Sequence, residues 1–482
     1  MKKTSFLKNI FMIMASNGIL LISQILVGLV LPKLLNIDGF GNYRIFMLYG
    51  TYASLLHFGF VDGILVKFGG QNFQSLDSRT ISKLFTFFFI LEFCIAIIIA
   101  LLALCMFEGK YRWILCAVGI YTFFLNVETA FQFLSQAIMN FGLVARMSKL
   151  QALLNTFNIC VPLICIFIFK LFSSLTYTTY ITLYIAAYAV LLLVYGYIYI
   201  VKYKMLNFNL NVNRDIVYEI FKIGFPITIA SQIGNITLNL DNQFVSMFFS
   251  TNIFAKYSFS YNLVSLTIAI VLAISTVLFP YLNRKTKSDL IKNYSKSMAF
   301  MLLFIYATLF SYFPIKIIIT YILPQYVGSL AYLRILLPGV AITTSISTII
   351  FNHYKVTEDM KLYLKNGLIS LVISLILYCV AYYLFKDVIV LAFSSLIALF
   401  IWFFIEDYFF RKKYNIIRYK DYFYIILCTL SFQLITDINN MIFSIFLYAV
   451  IYLALSYFFE KDYFNFISKK LLYRFNKENF KN

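Results

Sequence analysis

Charged residues, prolines and histidines are scarce in this sequence. Lys, Arg, Asp and Glu together make up 12% of the 482 residues, and there are only seven prolines and two histidines. Hydrophobic residues make up 62% of the chain, a fraction well above that of soluble globular proteins. This composition excludes a multidomain soluble protein and indicates an integral membrane protein.

Sequence signatures of metal binding, covalent catalysis and ATP hydrolysis are also missing. The seven cysteines lie in apolar segments without a C-x-x-C pair or a nearby histidine, which favours buried, reduced thiols. His57 and His353 are isolated, and no Walker loop or nucleophile motif is present. We therefore expect neither enzymatic activity nor a cofactor.

Long apolar runs are abundant instead. Each approaches the roughly 20 residues that cross a bilayer as a helix, and none alternates like a barrel strand. Because backbone polar groups in lipid must be paired internally, the runs predict an all-α polytopic membrane protein. The fourteen predicted spans are 10–31, 43–66, 84–106, 113–138, 147–169, 178–201, 219–248, 254–281, 298–313, 329–351, 364–385, 387–409, 421–436 and 440–459.

The basic residues predict how these spans are oriented. Of the 40 Lys and Arg residues, 31 fall on the side that holds both termini and seven fall in the gaps on the other side. Because cytoplasmic loops carry the excess of Lys and Arg, both termini are predicted to be cytoplasmic. The net charge of +20 thus reflects topology and attraction to anionic membrane lipids, and we expect no nucleic-acid partner.

A weak internal repeat divides the chain into two pseudo-symmetric six-helix bundles. The pattern F-[G/A]-x-Y follows the first span at Phe40–Tyr43 and the seventh at Phe254–Tyr257. Paired bundles around a midplane cavity are typical of secondary transporters. The predicted domains are an N-terminal bundle at 1–205, a C-terminal bundle at 206–412, and two further spans with a basic cytoplasmic tail at 413–482.

Polar residues mark one face of the seventh span. They recur at spacings of three and four, which places them together on a helix. The face predicts the wall of a hydrated cavity, and the alternative is hydrogen bonding between helices. Tyr257 and Tyr261, in the eighth span, are candidates to stack on sugar rings. The residues of the face are Thr228, Gln232, Asn235, Asn239, Asn242 and Ser246.

Two arginines lie near the outer ends of predicted spans, Arg44 in the second and Arg334 in the tenth. A guanidinium can hold an anionic headgroup through two parallel hydrogen bonds, which an ammonium cannot. Both residues are therefore candidates for the substrate headgroup. The alternative is that they anchor their helices at the membrane interface.

Three carboxylates inside predicted spans are candidates for ion coupling, because ionisable groups are costly in a bilayer. Asp62 lies five turns from Arg44 on the second span, and Glu128 belongs to a polar row on the fourth. Asp241 lies near the outer end of the seventh span and points away from its polar face. Its alternative role is a hydrogen bond or ion pair with a neighbouring helix.

Three segments carry a pattern of spaced motifs. YILPQYVGSLAYLRILL contains a proline-led turn at Pro324, then Tyr326, and the tetrad L-R-I-L that ends at Leu336. The region from Leu31 to Phe68 contains a G-x-Y turn and an F-G-F triplet before a closing lysine, and IFKIGFPITIASQI opens the seventh span. In this order the segments resemble the polysaccharide repeat-unit (O-antigen type) flippases. A glycine is commoner in that family at the position of Pro324.

This resemblance implies membership of the multidrug/oligosaccharidyl-lipid/polysaccharide exporter superfamily. The implied activity is translocation of undecaprenyl-pyrophosphate-linked oligosaccharides to the outer leaflet by alternating access, driven by a proton or sodium gradient. The implied location is the bacterial cytoplasmic membrane, and the implied partners are a polysaccharide polymerase and chain-length machinery. Two alternatives remain: a multidrug or small-solute exporter of the same fold, and a membrane-embedded polymerase. A polymerase is expected to carry a long outer loop, which the sequence lacks.

Overall fold

Helix is the regular secondary structure of the described part of the chain, which comprises residues 3–71, 76–167, 175–204, 214–282 and 287–479 of this computed structural model. The first nine α-helices are α1 Lys3–Leu34, α2 Ile37–Thr51, α3 Phe60–Lys67, α4 Ser78–Met106, α5 Gly109–Ala137, α6 Phe141–Phe167, α7 Tyr177–Gly196, α8 Arg214–Phe248 and α9 Thr251–Leu282. The other ten within these ranges are α10 Lys287–Lys292, α11 Tyr294–Thr308, α12 Tyr312–Ile322, α13 Ser329–Leu336, α14 Gly339–Ser345, α15 Phe351–Val356, α16 Met360–Phe385, α17 Val388–Lys413, α18 Lys420–Thr436 and α19 Met441–Asn479.

Several membrane-spanning segments are interrupted by short tighter or wider turns. A 3₁₀ turn at Ala53–Leu55 separates α2 from α3, and a π-helical segment at Tyr197–Lys202 continues α7. Further interruptions occur at Leu309–Ser311, Pro324–Tyr326 and Ile346–Ile350. These breaks explain why fourteen predicted spans correspond to a larger number of helices.

Each of the fourteen predicted spans coincides with one helix or with consecutive helices of the structure. Within the described ranges, seven helices are long and apolar enough to cross a bilayer, or nine when two bent pairs each count as one span. Large apolar side chains of α4 such as Ile98 and Leu101 are more than half exposed, as expected of a surface that faces lipid. The predicted fold class, an all-α polytopic membrane protein, is confirmed.

The chain forms two compact units, which we call unit 1, Met1–Ser258, and unit 2, Phe259–Asn482. The boundary falls within α9, so unit 1 contains α1 to α8 and the first two turns of α9. The domains predicted at 1–205, 206–412 and 413–482 follow the internal repeat of the sequence, and they stay a prediction.

In unit 1, α3 and α8 touch backbone to backbone through glycines. A Cβ added to Gly63 would lie 2.2 Å from the carbonyl oxygen of Ile220, and one added to Gly224 would lie 1.8 Å from that of Gly59. Gly59 also has a φ of 89°, a backbone conformation that residues with a side chain rarely adopt. Gly59 and Gly63 are four residues apart, the spacing at which small residues let membrane helices approach closely.

We expect Gly224→Ala to lower the stability of unit 1 by about 1–3 kcal/mol or more, because the new methyl group overlaps a backbone oxygen that cannot move independently. Gly196→Ala is a matched control, since its added Cβ meets no atom within 4 Å. Thermal unfolding of the purified variants in one detergent measures the difference. Equal midpoints for the two variants would contradict the close packing of α3 on α8.

Unit 2 contains a network of five charged side chains on α17, α18, α19 and the connection between α17 and α18. Arg411 on α17 donates to Asp407 at 2.5 Å and to Asp421 on α18 at 2.6 Å. Arg418, in the connection between α17 and α18, donates to Asp421 at 2.7 Å and also forms an ion pair with Glu460 on α19. The three carboxylates and Arg411 are at most 4% exposed. This network links α17, α18 and α19.

Two tyrosines complete the network. The hydroxyls of Tyr294 on α11 and Tyr422 on α18 each donate to the Asp407 carboxylate at 2.6 Å. Buried charges are tolerated when they are both paired and hydrogen-bonded. The network therefore also attaches α11 to α18 and α19, the helices that correspond to the last two predicted spans.

Candidate functional site

Arg44 lies in α2, and among the described residues it has no acidic partner. Its Nε donates to the hydroxyl of Ser258 on α9 at 2.5 Å. Over the described ranges, no carboxylate lies within ion-pair distance of Arg44, and neither terminal guanidinium nitrogen has a hydrogen-bond acceptor. The side chain is half-buried. A cation that has lost part of its hydration without a counter-ion favours binding of an anion.

Lys110, at the start of α5, is held in the same way. Its ammonium donates to the hydroxyl of Thr251 on α9 at 2.6 Å. Thr251 and Ser258 are seven residues apart, which is two helical turns or about 10 Å along one face of α9. Sequence reasoning assigned Lys110 only to the outer loops. Lys110 and Arg44 are related through their hydroxyl partners, which lie two turns apart on α9. The sequence cannot show this relation, because it depends on which helices pack against α9.

The inner half of the polar face on α8 bonds to the helices beside it. The Thr228 hydroxyl donates to the carboxylate of Asp62 on α3. The Gln232 amide donates to the Ser54 hydroxyl in the 3₁₀ turn at 2.8 Å. Thr228 and Gln232 are 1% and 6% exposed. At its inner end, the polar face therefore connects α8 to α3 and to the 3₁₀ turn through hydrogen bonds.

The outer half of the polar face forms hydrogen bonds mainly within α8. Asn235 is exposed and Asn239 is half-buried, and their amide nitrogens donate within α8, to Gln232 at 3.4 Å and to the Asn235 carbonyl at 2.9 Å. Asn242 is 3% exposed, and its side-chain oxygen has no hydrogen-bond partner in the described structure. Ser246 bonds to the Gln243 carbonyl at 2.8 Å. The amides that remain accessible are therefore those of Asn235 and Asn239.

Asp241 is fully enclosed behind this face. It is 1% exposed and accepts a hydrogen bond from the hydroxyl of Tyr257 on α9 at 2.7 Å and another from the backbone N–H of Asn242 at 2.7 Å. Tyr257 is itself fully buried. The two candidates are thus brought together as a pair between α8 and α9, rather than placed separately along a cavity wall.

We expect Asp241→Asn to keep transport close to that of the unchanged protein, because asparagine retains an acceptor oxygen for Tyr257 at nearly the same volume. Asp241→Leu removes both acceptors and is expected to cost about 1–3 kcal/mol of stability. Export assays at matched membrane levels, with thermal unfolding of both variants, check this result. Loss of export in Asp241→Asn at a normal protein level would instead assign ion coupling to this carboxylate.

Glu128 lies on α5 in the interior of unit 1. It is 7% exposed, and its neighbours along α5, Tyr121 and Phe131, pack against Tyr188 and Tyr195 on α7 with ring centroids 5.1 and 5.8 Å apart. No hydrogen-bond partner of its carboxylate occurs among the described residues. Of the three carboxylate candidates it alone lacks such a partner in this part of the chain, since Asp62 and Asp241 each accept a hydroxyl.

Unit 2 contains Arg334 and Tyr261. Arg334 on α13 forms an ion pair with Asp437 at the end of α18, and its carbonyl accepts a bond from the Gln433 amide at 2.8 Å. This pairing attaches α13 to α18 and gives Arg334 a counter-ion, which Arg44 lacks among the described residues. The Tyr261 hydroxyl lies 3.4 Å from that of Ser395 on α17. Their roles at a substrate headgroup or sugar stay predictions.

The architecture and the apolar spans define a multi-pass, all-helical membrane protein. No protein-family model matches the sequence, and no curated protein matches it either. Among solved structures, the chain is similar to the lipid II flippase MurJ in an inward closed conformation, with a TM-score of 0.68, 13% identity, and coverage of 95% of this chain and 99% of that one.

Two further structures share the arrangement of helices. An outward-facing multidrug resistance MATE family transporter of the MOP superfamily gives a TM-score of 0.56 at 13% identity, over 84% of this chain and 94% of that one. A point mutant of the Vibrio cholerae MATE transporter VcmN gives 0.54 at 13% identity, over 87% and 99%. The chain thus has the fold of the MOP superfamily transporters.

Proposed function

We propose that this protein is a flippase that moves undecaprenyl-pyrophosphate-linked oligosaccharide repeat units from the cytoplasmic to the outer leaflet by alternating access. The observation that carries the proposal is Arg44, a half-buried guanidinium bound to a hydroxyl in place of a carboxylate. The likeness of the fold to the lipid II flippase supports a lipid-linked substrate.

The chemistry of the cargo matches the groups available in unit 1. A pyrophosphate presents several acceptor oxygens, and the two terminal guanidinium nitrogens of Arg44 can engage two of them in parallel. Lys110 offers a second positive charge, and its hydroxyl partner Thr251 lies two turns along α9 from Ser258, the partner of Arg44. The exposed amide of Asn235 and the half-buried amide of Asn239 suit the hydroxyls of a glycan, while the polyprenyl tail can remain in lipid.

An ion gradient is proposed as the driving force, because the sequence contains no motif for ATP hydrolysis. Proton or sodium coupling would act through a carboxylate within a span, for which Asp62, Glu128 and Asp241 are the candidates. The location that follows is the bacterial cytoplasmic membrane. A polymerase and chain-length machinery that consume the translocated units at the outer surface are the proposed partners.

Reconstitution tests the proposal directly. Proteoliposomes that contain the purified protein are loaded with a fluorescent undecaprenyl-pyrophosphate oligosaccharide, and a membrane-impermeant quencher reports how much of it has changed leaflet. We expect transfer that requires the protein and is reduced in Arg44→Ala. A transfer rate equal to that of protein-free vesicles would overturn the proposal.

A multidrug exporter is the second candidate, and the likeness to two MATE transporters favours it. Deletion of the gene separates the two functions. Loss of surface polysaccharide with lipid-linked units accumulating on the cytoplasmic side supports the flippase. Unchanged polysaccharide with increased drug sensitivity supports the exporter. A polymerase predicts instead that single repeat units still reach the surface in the deletion strain.

A further inference from the structure

A row of tyrosines runs along one face of α7 and the π-helical segment that follows it. The spacings are four, four, seven, four and four residues, and steps of four or seven return to nearly the same side of a helix. Four of these residues are at most 7% exposed: Tyr180, Tyr188, Tyr195 and Tyr199. The tyrosine column, as we call the row, consists of Tyr180, Tyr184, Tyr188, Tyr195, Tyr199 and Tyr203.

Rings of the column pack against α2 and α5, and two pairs within the column, Tyr184 with Tyr188 and Tyr199 with Tyr203, pack against each other. Tyr180 packs against Tyr43 with ring centroids 5.1 Å apart. Tyr184 and Tyr188 are 5.4 Å apart and both pack against Tyr121 on α5, at 5.7 and 5.1 Å. This outer part of the column thus brings several hydroxyls into one buried group.

The inner part of the column is hydrogen-bonded toward the predicted cytoplasmic side. The Tyr199 hydroxyl lies 2.8 Å from that of Ser135 on α5. Tyr203 packs against Tyr199 with centroids 5.5 Å apart, and its hydroxyl accepts a bond from the Asn140 amide at 3.1 Å. Tyr203 is half-buried and ends the row.

Glu128 lies at the one long step of the column. Between Tyr188 and Tyr195 the spacing is seven residues, about 10 Å along the helix. On α5, Glu128 lies between Tyr121, which packs against Tyr188, and Phe131, which packs against Tyr195 with ring centroids 5.8 Å apart. The Tyr195 hydroxyl is fully buried and has no hydrogen-bond partner among the described residues. A buried, unpartnered hydroxyl beside a carboxylate without a hydrogen-bond partner in this part of the chain needs a physical explanation.

We propose that Glu128 is a proton-binding site of unit 1 and that the hydroxyls of the tyrosine column carry protons to it. Each hydroxyl both donates and accepts, so it can take a proton from one side and release its own to the next group. The net change is the transfer of one proton from water to the carboxylate, with no other bond altered. The link to transport rests on the proposed function.

Other titratable groups on or beside the helices packed against α5 differ from Glu128 in that they accept hydrogen bonds. Glu92 accepts a bond from Asn126 at 2.9 Å, Asp62 accepts one from Thr228, and His57 accepts one from the backbone N–H of Gly59 at 3.1 Å. The ionisable groups of these neighbouring helices include Glu92 on α4, Asp62 on α3, His57 before α3, Tyr43 and Arg44 on α2, and Arg146 and Lys149 on α6.

Infrared spectroscopy of the purified protein after a rapid drop in pH tests the site without requiring transport. We expect a protonated-carboxyl band that is absent from Glu128→Gln, an isosteric change, and that shifts in Glu128→Asp. Tyr195→Phe and Tyr199→Phe are expected to slow its appearance by on the order of tenfold or more without changing its final amplitude. Tyr448→Phe, which removes a buried hydroxyl from unit 2, is the matched control.

An unchanged band in Glu128→Gln, or equal rates in all three tyrosine variants, would overturn the proposal and leave the column as helix packing. Leaflet transfer in proteoliposomes with an imposed pH gradient then separates the two proposals. If Glu128→Gln loses only the stimulation by the gradient, both stand. If the unchanged protein moves the lipid and ignores the gradient, coupling at Glu128 is wrong and the flippase stands. If Glu128 titrates and no lipid moves, only the flippase is wrong.

Discussion

Arg411→Ala is expected to lower the stability of unit 2 by about 3–5 kcal/mol, because it leaves buried carboxylates without their counter-ion. Asp407 and Asp421 are fully buried, and Arg411 bonds to both of them. The loss should appear as a lower thermal midpoint in detergent and as less protein in the membrane. Lys412→Ala changes the adjacent exposed cation and should leave both quantities unaltered.

A second variant distinguishes loss of charge balance from loss of packing volume. Arg411→Met combined with Asp407→Asn and Asp421→Asn removes the charge of Arg411 together with those of its two carboxylate partners, and uncharged replacements of buried ion pairs are often tolerated. We expect this triple variant to recover much of the stability that the single change removes. A triple variant as unstable as Arg411→Ala would show that the guanidinium contributes through its shape and hydrogen bonds, including its bond to the Arg418 carbonyl at 2.7 Å.

Arg44→Ala is expected to reduce lipid transfer by about 10- to 100-fold while the protein still folds and reaches the membrane. A hydrogen bond to a charged group contributes about 1.5–3 kcal/mol, and each 1.4 kcal/mol is about tenfold in an equilibrium constant. The fold should tolerate the change, since the contact of Arg44 with Ser258 is a single hydrogen bond. The initial rate of leaflet transfer at several substrate concentrations measures the effect.

Two further variants test whether the expected loss of lipid transfer is specific to the guanidinium group of Arg44. Arg44→Lys keeps the charge but not the paired donors, so an intermediate rate is expected. Arg112→Ala removes an outer arginine whose Nε donates to the Phe107 carbonyl at 2.8 Å, and it should leave the rate unchanged. Transfer by Arg44→Ala equal to that of the unchanged protein would remove Arg44 from the headgroup site.

The polar face of α8 illustrates how far the sequence could predict the candidate site. The spacing of its amides and hydroxyls predicts that they share one face, because helical periodicity depends only on the local backbone. Which members of the face bond to other helices could not be predicted. Thr228 and Gln232 meet Asp62 and Ser54, which are 166 and 178 residues away in sequence. Asn235 was expected to be equivalent to them, and it remains exposed.

The two arginine candidates have different partners, and these partners could not be predicted because they lie far away in sequence. The sequence placed Arg44 and Arg334 in matching positions near the outer ends of spans, and it offered the same pair of roles for both. In the folded chain Arg334 meets Asp437, whereas Arg44 meets Ser258. Arg411 and Arg418 are two of the 31 basic residues that the sequence assigns to the cytoplasmic side, and the structure buries Arg411 among carboxylates.

The sequence by itself determined that this protein is a bundle of membrane-spanning helices, and the distribution of Lys and Arg predicted the orientation of the spans. A bilayer imposes these properties on each segment separately, because every span must be apolar and must satisfy its own backbone hydrogen bonds. The tertiary structure decided which polar groups are paired. Pairing depends on contacts between segments far apart in sequence, and within the described residues those contacts left Arg44 without a counter-ion and placed Glu128 beside the tyrosine column.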